Sequence, residues 1–117
     1  MKQNVLKDKS YSFALRIVKL YRYLAVEHRE FVLSKQIVRS GTSIGANIEE
    51  AFQAQSRPDF IHKLSIANKE AFETHYWLRL LRDSLILTPS QAESLLSECD
   101  ELQRMLVSAI KTSKAKG

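Results

Sequence analysis

The sequence predicts an all-α protein, an antiparallel up-down-up-down four-helix bundle, and three observations lead there. Four apolar seams recur at steps of three and four residues, the spacing of a helix face turned toward a core. Only three Gly and two Pro interrupt 117 residues, so the regular elements must be long. No period-two pattern competes with these seams, and the gaps between them are short, which makes consecutive helices antiparallel neighbours. Residues 1–117 read as one domain, with flexible termini expected at about 1–7 and 112–117.

The first helical pattern runs from about Asp8 to His28, with Phe13, Ala14, Ile17, Val18, Leu20, Tyr21, Leu24 and Ala25 forming an apolar face wide enough for two neighbours. A second helix is expected from Ser34, as its N-cap, to about Gln55, on a seam of Ile37, Gly41, Ile44, Ile48 and Ala51. The third restarts at Ser56-Arg57-Pro58-Asp59, because Ser caps well and Pro is tolerated in a first turn. Its seam is Phe60, Leu64, Ala67, Ala71, Thr74, Leu78, Leu81 and Leu85. The fourth opens at Thr88-Pro89-Ser90-Gln91, a capping-box pattern, and continues through Leu95, Cys99, Leu102, Leu106 and Ala109 to a basic tail.

The second helix carries a polar stripe beside its seam: Gln36, Ser40, Ser43, Asn47 and Glu50 repeat the same steps. If the second and third helices fold about Ser56, residues equally far from it lie at similar heights, since both helices rise about 1.5 Å per residue. Arg39 and Glu73 are each seventeen positions away, so they are expected to meet, within one chain or across a subunit boundary. Gly41 and Gly45 lie inside this helix, where each costs about 1 kcal/mol relative to Ala. Close approach by another backbone offsets that cost. A break near Gly41 is the competing explanation, and it would make Val38–Ile48 a helix-turn-helix that reads DNA through Thr42, Ser43 and Asn47. Against it, the seam crosses Gly41 without changing phase.

Eighteen basic and 13 acidic residues give a formal charge of +5, and residues 1–30 hold most of the surplus, with seven basic against three acidic side chains. Lys9, Arg16, Lys19 and Arg22 recur along the first helix, and in this topology Lys2, Lys7 and Lys9 share an end with Lys111, Lys114 and Lys116. These nine cations are the candidate nucleic-acid contacts, able to attract phosphates with strong salt dependence. The competing reading is that the terminal lysines serve solubility and complement the negative end of the last helix.

Chemistry finds little support. Carboxylate-bridged metals in bundles need paired Glu-x-x-His motifs, and neither half is present; Asp59-x-x-His62 is the nearest spacing, at a helix start. No zinc pattern, phosphate loop or Ser-His-Asp set occurs, so no catalytic residue, metal or cofactor is expected. Cys99 occupies a seam position, where packing is the ordinary role of a small thiol. A single cysteine, no secretory apolar stretch at the start and no run of about 18 apolar residues point to a cytoplasmic protein that does not span a membrane.

The block Gln36-Ile37-x-Arg39-Ser40-x-x-Ser43-Ile44-x-x-Asn47-Ile48-x-Glu50 resembles the signature of the 23S rRNA intervening-sequence protein family, also called the four-helix bundle protein family. Ile66-Ala67, Glu73 and Tyr76-Trp77-Leu78-Arg79-Leu80-Leu81 resemble its third helix. Gly45, where the family often has proline, and Ala51, where glycine is common, depart from it. The Trp77–Leu81 run is more distantly similar to the accessory variability determinant of diversity-generating retroelements, a basic bundle that engages nucleic acid and a reverse transcriptase. The resemblance implies a small bundle that assembles into a homopentameric ring, as some relatives do.

The leading expectation is therefore a non-enzymatic homo-oligomeric assembly or binding module, with RNA or a nucleic-acid-handling protein as partner. Gln36, Arg39, Ser43, Asn47, Glu50 and Glu73 would form its polar interface network. The helix-turn-helix DNA binder is the alternative, and an enzyme with a site between subunits is the third reading.

Overall fold

The computed structural model describes residues 2–116, with side chains from Val5 onward. Four helices follow one another: α1 (Lys2–Val26), α2 (Leu33–Ala51), α3 (Arg57–Asp83) and α4 (Pro89–Ala115). Each packs on the next, α4 returns to α1, and the diagonal pairs do not approach backbone to backbone, as in an up-down-up-down bundle. The rod measures 47 × 21 × 21 Å. No strand occurs among the described residues. Helical backbone covers residues 2–7 and 112–115, so α1 starts a turn and a half before Asp8.

The seams meet in one core. Phe13, Ile17 and Leu24 of α1 pack with Ile37, Ile44 and Ile48 of α2, Leu64, Leu78 and Leu81 of α3, and Leu102 and Leu106 of α4. All are essentially inaccessible to water, and burying each stabilises the fold by about 1.5–3 kcal/mol before conformational entropy is counted. Cys99 lies in this core with its thiol donating to the Ala71 carbonyl at 3.3 Å. Burial, with the Asp100 charge adding to it, pushes the thiol pKa up to about 12, so the side chain is an inert packing group.

Two of the expected starts form as written. Ser56 caps α3 by accepting from the Asp59 N–H at 3.2 Å. Thr88 and Gln91 close a reciprocal capping box on α4, with N–H to side-chain oxygen distances of 3.2 and 2.9 Å and Pro89 at the first position.

The start of α2 differs from expectation. Ser34 is not the N-cap but a buried residue of the first turn, and its hydroxyl donates to the Glu30 carbonyl at 2.7 Å. Capping passes to the Glu30 carboxylate, which accepts from the backbone N–H groups of Val32, Leu33 and Ser34 at 3.1, 2.9 and 2.7 Å. Burial pushes the Glu30 pKa up, but the hydrogen bonds from Leu33, Ser34 and Val32 together outweigh it and hold the carboxyl below its ordinary value of 4.5. A lowered folded pKa contributes stability that is complete above the unfolded value and lost as pH falls through the folded one. Glu30→Ala is therefore expected to cost about 1 kcal/mol at neutral pH, the size of a lost N-cap. Urea unfolding at neutral and strongly acid pH checks this, because the gap between wild type and variant should close in acid.

The end of α3 also differs. Leu85 was expected on the seam but is 80% exposed, because the helix stops at Asp83 and Leu85 adopts φ 66°. The Ile86 N–H bonds to the Leu81 carbonyl and the Leu85 N–H to the Arg82 carbonyl, both at 3.1 Å, which is the paired pattern of a Schellman cap. Leu85 stands where glycine is usual, and Leu87 enters the core in its place.

Gly41 and Gly45 are explained by α1. A Cβ built on Gly41 would lie 2.8 and 2.9 Å from the two γ carbons of Ile17, and one on Gly45 would lie 3.4 Å from the Ser10 carbonyl oxygen. The slender side of α2 is the bed on which α1 lies.

Candidate functional site

α2 is unbroken from Leu33 to Ala51, which removes the turn that a helix-turn-helix requires. Thr42 Oγ1 donates to the Val38 carbonyl at 2.6 Å, Ser43 Oγ to Arg39 at 2.6 Å, and the Asn47 amide to Ser43 at 2.8 Å. The proposed reading residues thus bond back along their own helix, as hydroxyls and amides inside helices do. The unbroken seam in the sequence had the same meaning.

The polar stripe borders α3, and its members separate into different contacts. Arg39 donates to Glu73, and its other terminal nitrogen lies 3.7 Å from Glu70. The Trp77 indole N–H donates to the same Glu73 oxygen at 3.1 Å, so one carboxylate ties two helices and an aromatic ring together. The registry argument about Ser56 therefore holds at atomic level. Lower down, Lys63 reaches Glu50 at 3.0 Å. Gln36 is exposed at the upper end. Exposed ion pairs of this kind are worth about 0–1 kcal/mol each, so orientation is their main contribution.

Beneath the stripe lies a contact that sequence reasoning missed. Ser40 and Thr74 are both fully buried, their hydroxyls meet at 2.9 Å, and Thr74 Oγ1 also sits 2.8 Å from the Glu70 carbonyl. Both residues stood out in the sequence, Ser40 in the stripe and Thr74 in the seam. Equal distances from Ser56 do not give this pair, since Ser40 is sixteen positions before it and Thr74 eighteen after it; the two meet because each follows a member of the Arg39–Glu73 pair and turns toward the core.

The candidate cations divide into two groups. Lys7, Lys9 and Arg16 are engaged by Glu49, Glu101 and Glu98 at 3.6, 3.2 and 2.9 Å, and Arg16 also donates to Ser94. Lys19, Arg22, Lys111, Lys114 and Lys116 have no carboxylate within 4 Å among the described residues. The Lys2 side chain lies outside the described residues. Arg57 donates to the Lys116 carbonyl at 2.7 Å, which brings the start of α3 to the lysine-bearing end of α4. Among the described residues, no three His, Cys, Asp or Glu side chains are placed to share a metal ion, and no helix is long and apolar enough to cross a membrane.

Fold and surface together define a small all-α bundle whose conspicuous polar features are interhelical contacts and unpaired surface cations. The chain belongs to the 23S rRNA-intervening sequence protein family, whose model matches residues 2–108. It is similar to a crystal structure described as a protein with unknown function from the S23 ribosomal protein family of Bacteroides thetaiotaomicron VPI-5482. The two share 60% identity with a TM-score of 0.93, over 95% of this chain and 99% of that one. None of the curated proteins matches.

Proposed function

We propose that the chain is a non-enzymatic, ring-forming assembly module, with RNA as the partner of its cationic surface. The observation that carries this reading is an apolar stripe on α1 that the bundle leaves uncovered. Tyr11, Leu15, Val18 and Val26 are 63, 50, 39 and 72% exposed, at steps of four, three and eight residues with Arg22 between the last two. This is the seam spacing of a helix that expects a partner. The bundle cannot supply one, since α1 already uses Phe13, Ile17, Leu20 and Leu24 inward.

A second copy offers a suitable surface. The α2–α3 face is narrowed by Ser43, Ala46 and Asn47 and carries Glu50, Glu70 and Glu73 against Arg39 and Lys63. The α1 stripe brings unpaired Lys19 and Arg22, opposite in sign to that excess. Two different faces make a head-to-tail contact, and such a contact forms a ring when the rotation between successive copies closes. Five copies is the number that the family resemblance implies. In this arrangement the Arg39–Glu73–Trp77 cluster orients the receiving face.

Leu15→Glu and Ala46→Trp change exposed positions on the two faces, so each variant is expected to stay folded and run as a monomer in sedimentation. Mixed in equal amounts they should form a heterodimer, because one intact face of each kind remains. If Ala46→Trp stays fully oligomeric, the head-to-tail arrangement is wrong.

A further inference from the structure

We propose that the outer face of α3 and α4 is a binding platform for single-stranded RNA, in which Phe72 and Tyr76 stack on bases while Lys69, Arg79, Arg104 and Lys111 hold phosphates. The inference rests on the RNA part of the reading above and moves the contact away from α1. Phe72 and Tyr76 are 61 and 47% exposed, although aromatic rings of this size stabilise a fold best when buried. They lie one turn apart on α3, about 6 Å along the axis. That is close to twice the 3.4 Å rise per nucleotide of a stacked strand, so bases can stack against both rings. The Arg79 guanidinium sits 5.7 Å from the Tyr76 ring centre, which holds that ring from one side.

Charge selects the occupant. Lys69, Arg79, Arg104 and Lys111 have no carboxylate within 4 Å among the described residues, and Asp100 is engaged by His75 at 3.1 Å. An apolar protein partner would strip water from these cations without return, whereas phosphates would pair with them. Between the helices runs a groove of about 610 Å³, lined by Phe72 and Val107, by Gln103, Arg104, Ser108 and Lys111, and by Asp100, whose carboxylate meets His75. Its apolar wall, hydrogen-bonding side chains and cations suit a base and its phosphate. Exposed rings interleaved with cations are how proteins hold single strands without reading sequence. The α1–α4 side is less suited, because Lys9 and Arg16 are already neutralised there.

The test is fluorescence anisotropy with a labelled oligouridylate of about twelve nucleotides, within the site sizes that such surfaces occupy, beside the matching DNA strand and an RNA duplex. Wild type should bind the single strands at low salt, more tightly than the duplex, and weaken steeply as salt rises. Phe72→Ala and Tyr76→Ala should each weaken binding roughly tenfold with thermal unfolding and oligomer mass unchanged. Arg104→Gln and Lys111→Gln should instead flatten the salt dependence. If the aromatic variants bind like wild type while Lys19→Gln/Arg22→Gln abolishes binding with oligomer mass unchanged, the platform is wrong and the RNA reading stands. If wild type binds neither strand nor duplex at low salt, both fall.

Discussion

Gly41→Ala is expected to lower the unfolding free energy by roughly 1–3 kcal/mol, the cost of overpacking a filled core, even though alanine is the better helix former. The added methyl would sit within 3 Å of both γ carbons of Ile17. Ile17 is β-branched, helical and fully buried, so it has almost no freedom to turn away. Relief must come from α1 lifting off α2, which disturbs Phe13 and Leu24 on the same face. Gly45→Ala is the contrast. Its methyl would meet Ser10 at 3.4 Å or more, an ordinary contact, so the gain in helix propensity should leave the variant equal to wild type or up to about 1 kcal/mol more stable. Urea unfolding of both variants at one protein concentration checks the pair. Ile17→Ala in the Gly41→Ala background should cost less than the two single changes added, since it opens the space that the new methyl needs. Equal destabilisation at both glycines would mean that propensity and not contact with α1 governs this helix.

Thr74→Val is the second large expected effect, a loss of about 1–3 kcal/mol, the cost of a buried polar group left without a partner. Valine keeps the shape of threonine but removes the hydroxyl that meets Ser40, and Ser40 has no access to water. Ser40→Ala/Thr74→Val should recover much of that loss, because replacing both partners leaves nothing unsatisfied. A double-mutant cycle measured by urea unfolding reads the coupling directly. If the double variant costs as much as the two single ones together, the hydroxyls do not act as a pair.

What was legible in the sequence was what is local or periodic. Thr88-Pro89-Ser90-Gln91 and Ser56 carry their capping chemistry within four residues, and the starts of α4 and α3 follow from them. The seams fix which side of each helix turns inward, and equal distances from Ser56 bring Arg39 to Glu73. The remainder depends on conformations that a repeating pattern does not encode. Leu85 continues the i, i+4 series from Leu81, yet the chain turns left-handed there, with leucine where glycine would have marked the stop. Glu30 caps α2 from the loop, directly after Arg29 with its φ of 50° and three positions before Leu33, so the distance from cap to helix is set by the loop. The apolar breadth of α1 does serve two neighbours, α2 and α4, but α4 packs on it least closely, and Val18 lies outward with Leu15 so that the stripe is left open.

The candidate site was legible in its parts but not in their grouping. Ser43 and Asn47 belong to the stripe by spacing, but their hydrogen bonds stay within α2, while Arg39 and Glu50 cross to α3. Which cations remain open to phosphate depends on which carboxylates face them across the bundle. Lys9 and Arg16 meet α4, whereas Arg104 and Lys111 point into the groove beside Phe72, and helical spacing alone cannot distinguish these situations.

The uncovered α1 stripe makes assembly the claim on which the functional account depends. Native mass spectrometry of the wild-type chain at micromolar concentration tests it most directly. The account predicts a single closed species of more than two subunits, five by family resemblance. A monomer, with Tyr11, Leu15 and Val18 left open to water, would contradict it.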